Sequence, residues 1–534
     1  MFILNQEPFM SELMYHSNHL KIKNMKKYKL LSIIPVVLMG ILSMTSCSDE
    51  FLTARSTEQL EAGGPATEGS ILSNLASAYQ ILLFDSYANY NYNAVLLMSD
   101  LRSDDIYKGG GSAGDQEQLY KLSQFTSTAA ATLDGLWSIY FTGLARCNNV
   151  ILSCENAQGV NENKLEQYKA EAHFLRAYYV HLLWKFWGNI PYFEEPLSNP
   201  PYMAQQLPAD SIYNRIMKDI DYACAEGRLA MKTSGSDLGR ASRAAALMLR
   251  ARVVLYQKDE SRYPQITDDM ASIITSGEYE LFDDFDAMWR DENEFCIESI
   301  FESNQLPEGK GWGSAWTGYG TNLPAFISPA DLQDPDGVFK GGWGFGPVRE
   351  EAYNMYDPSD KRRDGSINKW PDGSYTPRFQ NTGLFQRKYA ARVGYNPPPG
   401  DVDLNYCNNL RIFRYAETLL NYAELVVMHG QSEKQGVVAQ DCLDKIRQRA
   451  GVGSITANEV NIKSERRKEF LGEGMRFWDL VRWDDAPTVL TETDNEHNSV
   501  RTFQDWMKYL PIPQSEIDKT KNTEFELVQN GQWQ

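Results

Sequence analysis

Several residue types and motifs that carry common chemistries are scarce or missing in this chain. It has six histidines and no H-E-x-x-H motif, which leaves a zinc hydrolase of that type without support. Its seven cysteines are scattered and form no C-x-x-C, so zinc-ribbon and thioredoxin-like sites are not indicated. No G-x-x-x-x-G-K-[ST] motif is present to cradle a phosphate. We therefore expect no metal site and no cofactor.

Basic residues are also in the minority. The 534 residues include 52 Lys and Arg against 71 Asp and Glu, a net charge of -19. A chain this acidic repels phosphate backbones and anionic lipid headgroups. The composition thus predicts no nucleic-acid partner and favours a neutral ligand.

The N-terminal segment has the order of parts found in a secretory leader. Lysines precede the apolar run Leu30 to Leu42, and small residues follow up to Cys47. The run is shorter than the ~20 residues that a membrane span needs, and Pro35 and Gly40 interrupt it. We expect residues 1–46 to be a signal peptide that starts at Met25; a buried N-terminal helix is the alternative.

Cys47 stands where a bacterial lipobox has its lipidated cysteine. The site resembles such a box, although Met44 replaces the usual leucine, and the following Ser48-Asp49-Glu50 resembles the acidic export signal of surface lipoproteins. Several acyl chains would hold the protein durably at a membrane, whereas a single chain would not. We therefore predict lipidation at Cys47. We expect the other six cysteines to be free, buried thiols, with disulfides as the alternative.

Hydrophobic periodicity predicts a mainly α-helical body. Apolar residues recur at three-to-four spacing in a long segment that ends at Gly188 and in another that ends at Gly430. Residues from about 307 to 399 differ, because they are rich in Gly, Pro, Trp, Tyr and Asn and show little periodicity. We interpret them as a loop-rich functional insertion, with a linker as the alternative. The predicted helices are 70–85, 133–155, 164–187, 211–229, 240–257, 410–430, 440–450 and 462–483.

Four sequence stretches together resemble one family. Residues 465–483, "ERRKEFLGEGMRFWDLVRW", are similar to the helix-turn-helix signature of the SusD/RagB-type outer-membrane lipoproteins, and "YLPIPQSEID", 509–518, resembles the closing loop of that family. "RYAETLLNYAEL", 414–425, and the start "CSDEFL" at Cys47 match its other markers. We interpret the signature itself as structural. It would be held by i,i+3 ion pairs (Arg466 with Glu469, Glu473 with Arg476, Arg476 with Asp479), with Gly472 and Gly474 in the turn.

The resemblance implies both a fold and a function. The fold would be mainly α, a SusD-like fold with tetratricopeptide-like helix pairs and long irregular loops, in a single domain over residues 47–534. The protein would not be an enzyme. It would bind an oligosaccharide at the surface of the outer membrane, held by its lipid anchor, and help deliver the sugar to a SusC-like TonB-dependent transporter.

Two aromatic clusters are candidates for the sugar site, because aromatic faces stack on sugar rings and polar side chains bind their hydroxyls. The loop-rich region supplies one cluster, in which glycines flank the rings, and the segment after the first helix supplies the other. For each of these aromatics, packing beneath a loop is the alternative to ligand contact. The candidate residues are Trp312, Trp316, Tyr319, Asn322 and Trp343 in the first cluster and Tyr90, Tyr92, Asp100 and Arg102 in the second.

Two other functions remain as alternatives. "GGSAG", Gly110 to Gly114, matches G-x-S-x-G with Ser112 as a nucleophile, but a polar segment precedes it instead of a buried strand. A surface glycosidase with a carboxylate pair has no sequence support of its own. The second alternative is a transporter lid for a peptide or another non-carbohydrate nutrient. "DPDG", Asp334 to Gly337, is read as a turn in preference to a calcium loop.

Overall fold

The computed structural model describes residues 65–84, 86–197, 199–307, 309–313 and 319–533. The predicted leader, Cys47 and Trp316 lie outside these residues. Within them the protein is mainly helical, as predicted. The helices are α1 (Glu68–Tyr79), α2 (Val95–Asp100), α3 (Glu117–Ser123), α4 (Asp134–Glu155), α5 (Glu162–Trp187), α6 (Ala209–Cys224), α7 (Arg243–Gln257), α8 (Tyr263–Thr275), α9 (Leu323–Ile327), α10 (Glu350–Asn354), α11 (Lys361–Ser366), α12 (Tyr415–Val427), α13 (Ala439–Ala450), α14 (Glu459–Phe470), α15 (Arg476–Arg482), α16 (Ala486–Val489) and α17 (Gln514–Thr520).

The long helices form a stack in which neighbours along the chain are neighbours in space. Contacts join α4 to α5, α5 to α6, α6 to α7 and α7 to α8, and the series continues from α8 to α12 and from α12 to α13. At the start of α5 the side chain of Asn161 accepts hydrogen bonds from two backbone N–H groups. Its C-terminal end is marked by Gly188, at φ +67. The stacked helix pairs make up the scaffold that the resemblance implied.

The strands are short and occur only in antiparallel pairs within the described residues. One of them corrects the sequence interpretation, since Leu410–Arg414 was predicted as the first turn of a helix and is a strand. It pairs with Ser299–Ser303, a partner more than 100 positions away that local periodicity cannot reveal. The strands are β1 (Tyr87–Ala88), β2 (Asn91–Tyr92), β3 (Ile190–Pro191), β4 (Gln206–Leu207), β5 (Ser299–Ser303), β6 (Ile367–Lys369), β7 (Leu384–Gln386), β8 (Leu410–Arg414), β9 (Glu492–Asp494) and β10 (Ser499–Arg501).

The loop-rich region is packed onto the helical scaffold and is not a linker. Its described part from residue 309 to 399 has three short α-helices and two short strands, and much of it is irregular. Backbone bridges join Gly109 to Phe345 and Ile106 to Val348, and a third joins Thr321 to Tyr406. Because these bridges connect distant parts of the chain, the long loops have defined positions on the scaffold.

The C-terminal signature forms α14, a turn and α15. Gly472 and Gly474 lie in the turn at φ +82 and +71, as the structural interpretation required. The predicted i,i+3 pairs are wrong, however. Arg466 pairs with Asp479 at 3.1 Å, and Arg476 pairs with Asp104 at 2.8 Å. The side chains face neighbouring elements, so tertiary partners replace the local ones.

Two further findings concern the scaffold. Among the described residues, no helix combines the length and apolar character that crossing a bilayer requires. All six cysteines beyond Cys47 are free thiols, as expected, and four of them are buried: Cys147, Cys154, Cys224 and Cys442.

Candidate binding site

A tight hairpin starts the candidate site. Strands β1 and β2 are joined by Asn89 and Tyr90, both in the left-handed region at φ +48 and +59. Two residues with positive φ are typical of the turn that best fits the twist of a two-residue hairpin. The pairing sets Tyr87 opposite Tyr92, with ring centres 5.5 Å apart. The Asn89 amide donates to the Ser138 hydroxyl at 3.2 Å and ties the hairpin to α4.

Two tryptophans from the loop-rich region join these tyrosines. The Trp312 ring centre lies 5.1 Å from that of Tyr87 and 6.1 Å from that of Trp343, and the two indole planes differ by only 26°. Trp343 also lies 5.7 Å from Tyr92. Buried Phe326 packs against the group, and its ring centre lies 4.7 Å from that of Trp343. We call the four rings of Tyr87, Tyr92, Trp312 and Trp343 the aromatic platform.

A short acidic loop fixes both indoles. Trp312 Nε1 donates to Asp401 Oδ2 at 2.6 Å, and Trp343 Nε1 donates to Asp403 Oδ2 at 3.1 Å. The other carboxylate oxygen of Asp401 accepts from the backbone N–H of Asp403 at 2.9 Å. Both indole N–H groups are used within the protein, which leaves the ring surfaces of the two tryptophans for a ligand, whereas Tyr87 is only 7% exposed and supports them. Trp312 is 40% exposed, so part of its surface is open to solvent.

Buried polar residues close the base of the loop that carries Trp312. Lys310 Nζ donates to the Gly320 carbonyl at 2.9 Å, and the Ser86 hydroxyl donates to the same carbonyl at 3.3 Å. Burial lowers the pKa of Lys310 from 10.5 to about 7. Asn322 is fully buried and exchanges hydrogen bonds with Ser86. As a correction to the sequence interpretation, Asn322 holds the loop and does not face a ligand.

The two predicted tyrosines outside the platform lie in different places. Tyr90 is at the tip of the hairpin and is 64% exposed. Tyr319 instead contributes to the wall of a separate cavity of about 590 Å³, together with Leu72, Tyr79 and Leu306. The structure thus places Tyr90 beside the platform and Tyr319 away from it.

Two other predicted site residues are buried in the scaffold. Asp100 accepts from the Gly474 N–H at 3.0 Å, and burial raises the pKa of its carboxyl well above the usual range. Arg102 donates to the Met507 carbonyl at 2.6 Å, and its guanidinium carbon lies 3.9 Å from the centre of the Phe477 ring. Burial lowers the pKa of Arg102 to about 9. With exposed fractions of 1% and 0%, neither side chain can touch a surface ligand in this structure.

Sequence reasoning missed Phe326, Asp401 and Asp403. Asp401 is 89 positions from the tryptophan that it binds. No local pattern marks the loop 401–403 as a partner of these indoles. The pairing is visible only once the loops are folded together.

The structure also bears on the alternative sites. Ser112 lies in an exposed bend, not at the strand-to-helix elbow that the G-x-S-x-G motif requires. The Asp334 carboxylate accepts from the backbone N–H groups of Asp336, Val338 and Phe339, so "DPDG" forms the expected turn. Within the described part of the chain, no group of three or more His, Cys, Asp and Glu is arranged to hold a metal.

Comparison with known proteins places this chain in a family. Residues 306–533 match the SusD family, and residues 75–255 match a family described as "Starch-binding associating with outer membrane". Among curated proteins, SusD-like protein P25 of Formosa agariphila is 22% identical over 426 residues, which cover 73% of this chain and 78% of that protein.

Solved structures extend the match. Surface glycan-binding protein A from Bacteroides fluxus is 70% identical, covers 88% of this chain and 100% of its own, and superposes with a TM-score of 0.86. Surface glycan-binding protein A from Bacteroides thetaiotaomicron, solved in complex with laminarihexaose, is 37% identical, covers 87% of this chain and 100% of its own, and has a TM-score of 0.81. The chain therefore belongs to the SusD family, as its C-terminal motifs predicted.

Proposed function

We propose that this protein is a surface lipoprotein that binds a β-1,3-linked glucan at the aromatic platform and helps deliver it to a SusC-like TonB-dependent transporter. The aromatic platform is the observation that carries the proposal. The relative solved with laminarihexaose, a β-1,3-linked hexamer of glucose, supports the linkage, and so does a second relative named a laminarin-binding SusD-like protein.

The geometry of the rings suits a curved neutral sugar chain. Trp312 and Trp343 are nearly parallel, but both stand at steep angles to the tyrosines, 72° for Trp312 against Tyr87 and 70° for Trp343 against Tyr92. Rings at such angles form a walled surface, not a flat one. A β-1,3-glucan curves along its length, whereas a β-1,4-glucan is a flat ribbon. The platform therefore favours the curved chain, with the C–H faces of glucose against the rings.

The site is non-catalytic in this proposal. Asp401 and Asp403 lie beside the rings, and each accepts a hydrogen bond from an indole N–H and so orients a ring. Export and lipidation at Cys47 would place the platform at the cell surface. Contact with a transporter would follow from that position.

The test is a titration of the purified protein with laminarihexaose, cellohexaose and maltohexaose, with released reducing ends measured in the same samples. We expect saturable binding of laminarihexaose, weaker binding of the other two sugars and no product. Trp312→Ala and Trp343→Ala should each weaken binding by about tenfold or more, since an aromatic contact adds roughly 0.5–1.5 kcal/mol beyond the buried area. Trp316→Ala tests whether Trp316, a predicted site residue that lies outside the described residues, contributes to binding.

A matched control is Tyr202→Ala, which removes an aromatic that is 59% exposed and is not part of the platform. Unchanged affinity in both tryptophan variants would contradict the site. Steady release of reducing ends would contradict a binding function and support a hydrolase. Binding of peptides but of none of the sugars would support the non-carbohydrate lid. Co-purification of a TonB-dependent transporter with the membrane-anchored protein tests the partnership.

A further inference from the structure

A second pocket lies in the loop-rich region, apart from the aromatic platform. It has a volume of about 810 Å³, within the range of roughly 300–1,000 Å³ that is usual for ligand sites. Its walls come from the turn 334–339, the segment 367–374 and the segment 387–395, and no platform residue contributes to them. Phe339, Trp370 and Tyr395 give the pocket aromatic surface. We call it the arginine pocket, after Arg290, Arg387 and Arg392 in its walls.

Two of these arginines share one carboxylate partner. Arg387 Nε lies 2.6 Å from Asp286 Oδ1, and Arg387 Nη1 donates to the Asn368 side chain at 2.7 Å. Arg290 pairs with the same aspartate at 3.3 Å. Asp286 therefore serves both, and it leaves Arg392 as the arginine of this pocket without a carboxylate partner among the described residues.

Arg392 is unusual because it is buried and unpaired. Its exposed fraction is 5%, and its Nε and Nη2 atoms have no hydrogen-bond acceptor in the described part of the chain. The centre of the Phe339 ring lies 4.7 Å from its guanidinium carbon. The nearby Asp286 charge favours the charged form of Arg392, but no carboxylate forms an ion pair with it among the described residues. A buried cation without such a pair is costly, so the site favours an anion.

Other arginines of this protein show what the free edge of Arg392 would bind. Arg176 uses its Nε and Nη2 atoms to hold Asp219 at 2.8 and 2.6 Å, and Arg250 holds Asp269 through the same two atoms at 2.8 and 2.9 Å. This edge of a guanidinium matches the two oxygens of a carboxylate. The same edge of Arg392 lacks such a partner.

The acids in the pocket walls do not supply that partner. The Asp334 carboxylate is occupied by backbone N–H groups, and Asp364 pairs with Arg363 at 2.9 Å. Asp336 lies exposed in the turn and forms no ion pair within 4.0 Å among the described residues. A second unsatisfied donor is present as well, because the buried Trp370 Nε1 has no acceptor in the described chain. Trp370 packs edge-on against Phe339, with the ring centres 5.9 Å apart.

We propose that the arginine pocket is a second ligand site, which binds a sugar acid through a carboxylate on Arg392 and a sugar ring beside Trp370. The aromatic walls favour a sugar over a simple ion, and the unpaired guanidinium favours an acidic sugar over a neutral one. This ligand differs in charge from the neutral glucan of the platform. The proposal therefore does not depend on the proposed function.

The experiment is a titration of the purified protein at about pH 7 with D-glucuronate, D-glucose and sulfate. We expect glucuronate to bind with a Kd on the order of 1 mM, the weak range typical of a single small ligand. Glucose should bind at least about tenfold more weakly. Raising the salt concentration should weaken the glucuronate binding, because a charge pair is screened.

Two variants locate the binding. Arg392→Met keeps most of the side-chain volume and should abolish glucuronate binding. Arg392→Lys keeps the charge but lacks the paired Nε and Nη2 donors, so its affinity for glucuronate should fall about tenfold. Neither should change the melting temperature, which serves as the folding control, or the affinity for laminarihexaose. Trp312→Ala in the platform should leave glucuronate binding intact.

Each alternative outcome would overturn the proposal. Equal binding of glucose and glucuronate would show a neutral sugar pocket. Sulfate binding as tightly as glucuronate would show a general anion site with no role for the sugar ring. No saturable binding by the wild-type protein, or glucuronate binding that survives Arg392→Met, would remove the sugar-acid site itself.

Discussion

At the scale of single residues, two aspartates decide where the platform rings point. Asp401 and Asp403 accept the indole N–H groups of Trp312 and Trp343 and so restrict the rotation of both side chains. A ring held in its binding orientation loses less conformational entropy when a ligand arrives. In the proposed site the carboxylates would therefore act through the tryptophans and not by contact with the sugar.

This role predicts a difference between two substitutions at one position. Asp403→Asn keeps an oxygen that can accept from Trp343, so glycan affinity should fall by less than about threefold. Asp403→Ala removes the acceptor, and affinity should fall by more than in Asp403→Asn, up to about tenfold, since a hydrogen bond contributes roughly 0.5–1.5 kcal/mol. Calorimetric titration with laminarihexaose measures both. Equal affinities for the two variants would show that the carboxylate does not position the ring.

Lys310 predicts a pH effect on stability. Burial lowers its pKa from 10.5 to about 7, so between these values the unfolded chain binds a proton that the folded chain does not. The free energy of unfolding should therefore gain a rising contribution from Lys310 between about pH 7 and pH 10.5, and this contribution is constant below that range. Lys310→Met should remove it.

The measurement is urea denaturation of the wild type and of Lys310→Met at about pH 7 and about pH 9.5. The wild type should gain more stability, or lose less, than the variant on going to the higher pH. Exposed Lys445, replaced by Met, is the matched control and should follow the wild type. Parallel pH profiles for wild type and Lys310→Met would contradict the shifted pKa.

At the scale of elements, the β1–β2 hairpin carries an exposed aromatic in a costly backbone conformation. Tyr90 is held at φ +59, where a residue with a Cβ is disfavoured by about 1 kcal/mol or more relative to glycine. Its ring is 64% exposed and so gains little from burial. A strained turn with a solvent-facing ring beside the platform suggests a ligand contact.

Tyr90→Gly separates the backbone strain at this position from the contact that the ring would make with a ligand. Glycine adopts the same φ without strain, so the melting temperature should stay within about 2 °C of the wild type or rise. Glycan affinity should fall severalfold if the ring contacts the sugar. Tyr90→Val, which puts a β-branched residue at positive φ, should instead lower the melting temperature. Unchanged affinity in Tyr90→Gly would remove Tyr90 from the site.

At the scale of the whole molecule, a buried ion cluster joins the C-terminal signature to the rest of the fold. Arg414, at the end of β8, contacts Glu298 and Glu469 at 2.7 Å and Glu473 at 2.8 Å. Arg449 also pairs with Glu469. Burial opposes the charge on Glu469, but the surrounding arginines prevail and hold the pKa of its carboxyl well below the usual range. The cluster thus links strand, helix and turn at one point.

Glu469→Gln should destabilise the protein by about 3–5 kcal/mol, because it removes a buried carboxylate that Arg414 and Arg449 share. Glu459 on the same helix is the control, since its own side chain is 61% exposed and Glu459→Gln should cost less than about 1 kcal/mol. Urea denaturation measures both. Similar losses for the two variants would mean that the buried cluster contributes no more than a surface pair.

The sequence alone determined the helical scaffold, the loop-rich region and the family. These follow from local periodicity, composition and short motifs, all of which are carried by neighbouring residues. It also made Trp312, Trp343 and Tyr92 candidates for the site, because aromatic residues in glycine-rich or turn-rich segments stand out locally.

The tertiary structure decided which candidates share a surface. Tyr92 and Trp343 meet although they are far apart in the chain, whereas Asp100 and Arg102, only a few residues after Tyr92, are turned into the interior. Local sequence patterns likewise did not predict strand β8 or the partners of Arg466 and Arg476. Nor did they predict that two aspartates bind the indole N–H groups. Their positions depend on contacts between distant segments, and a pattern read along the chain contains no information about which distant segments pack together.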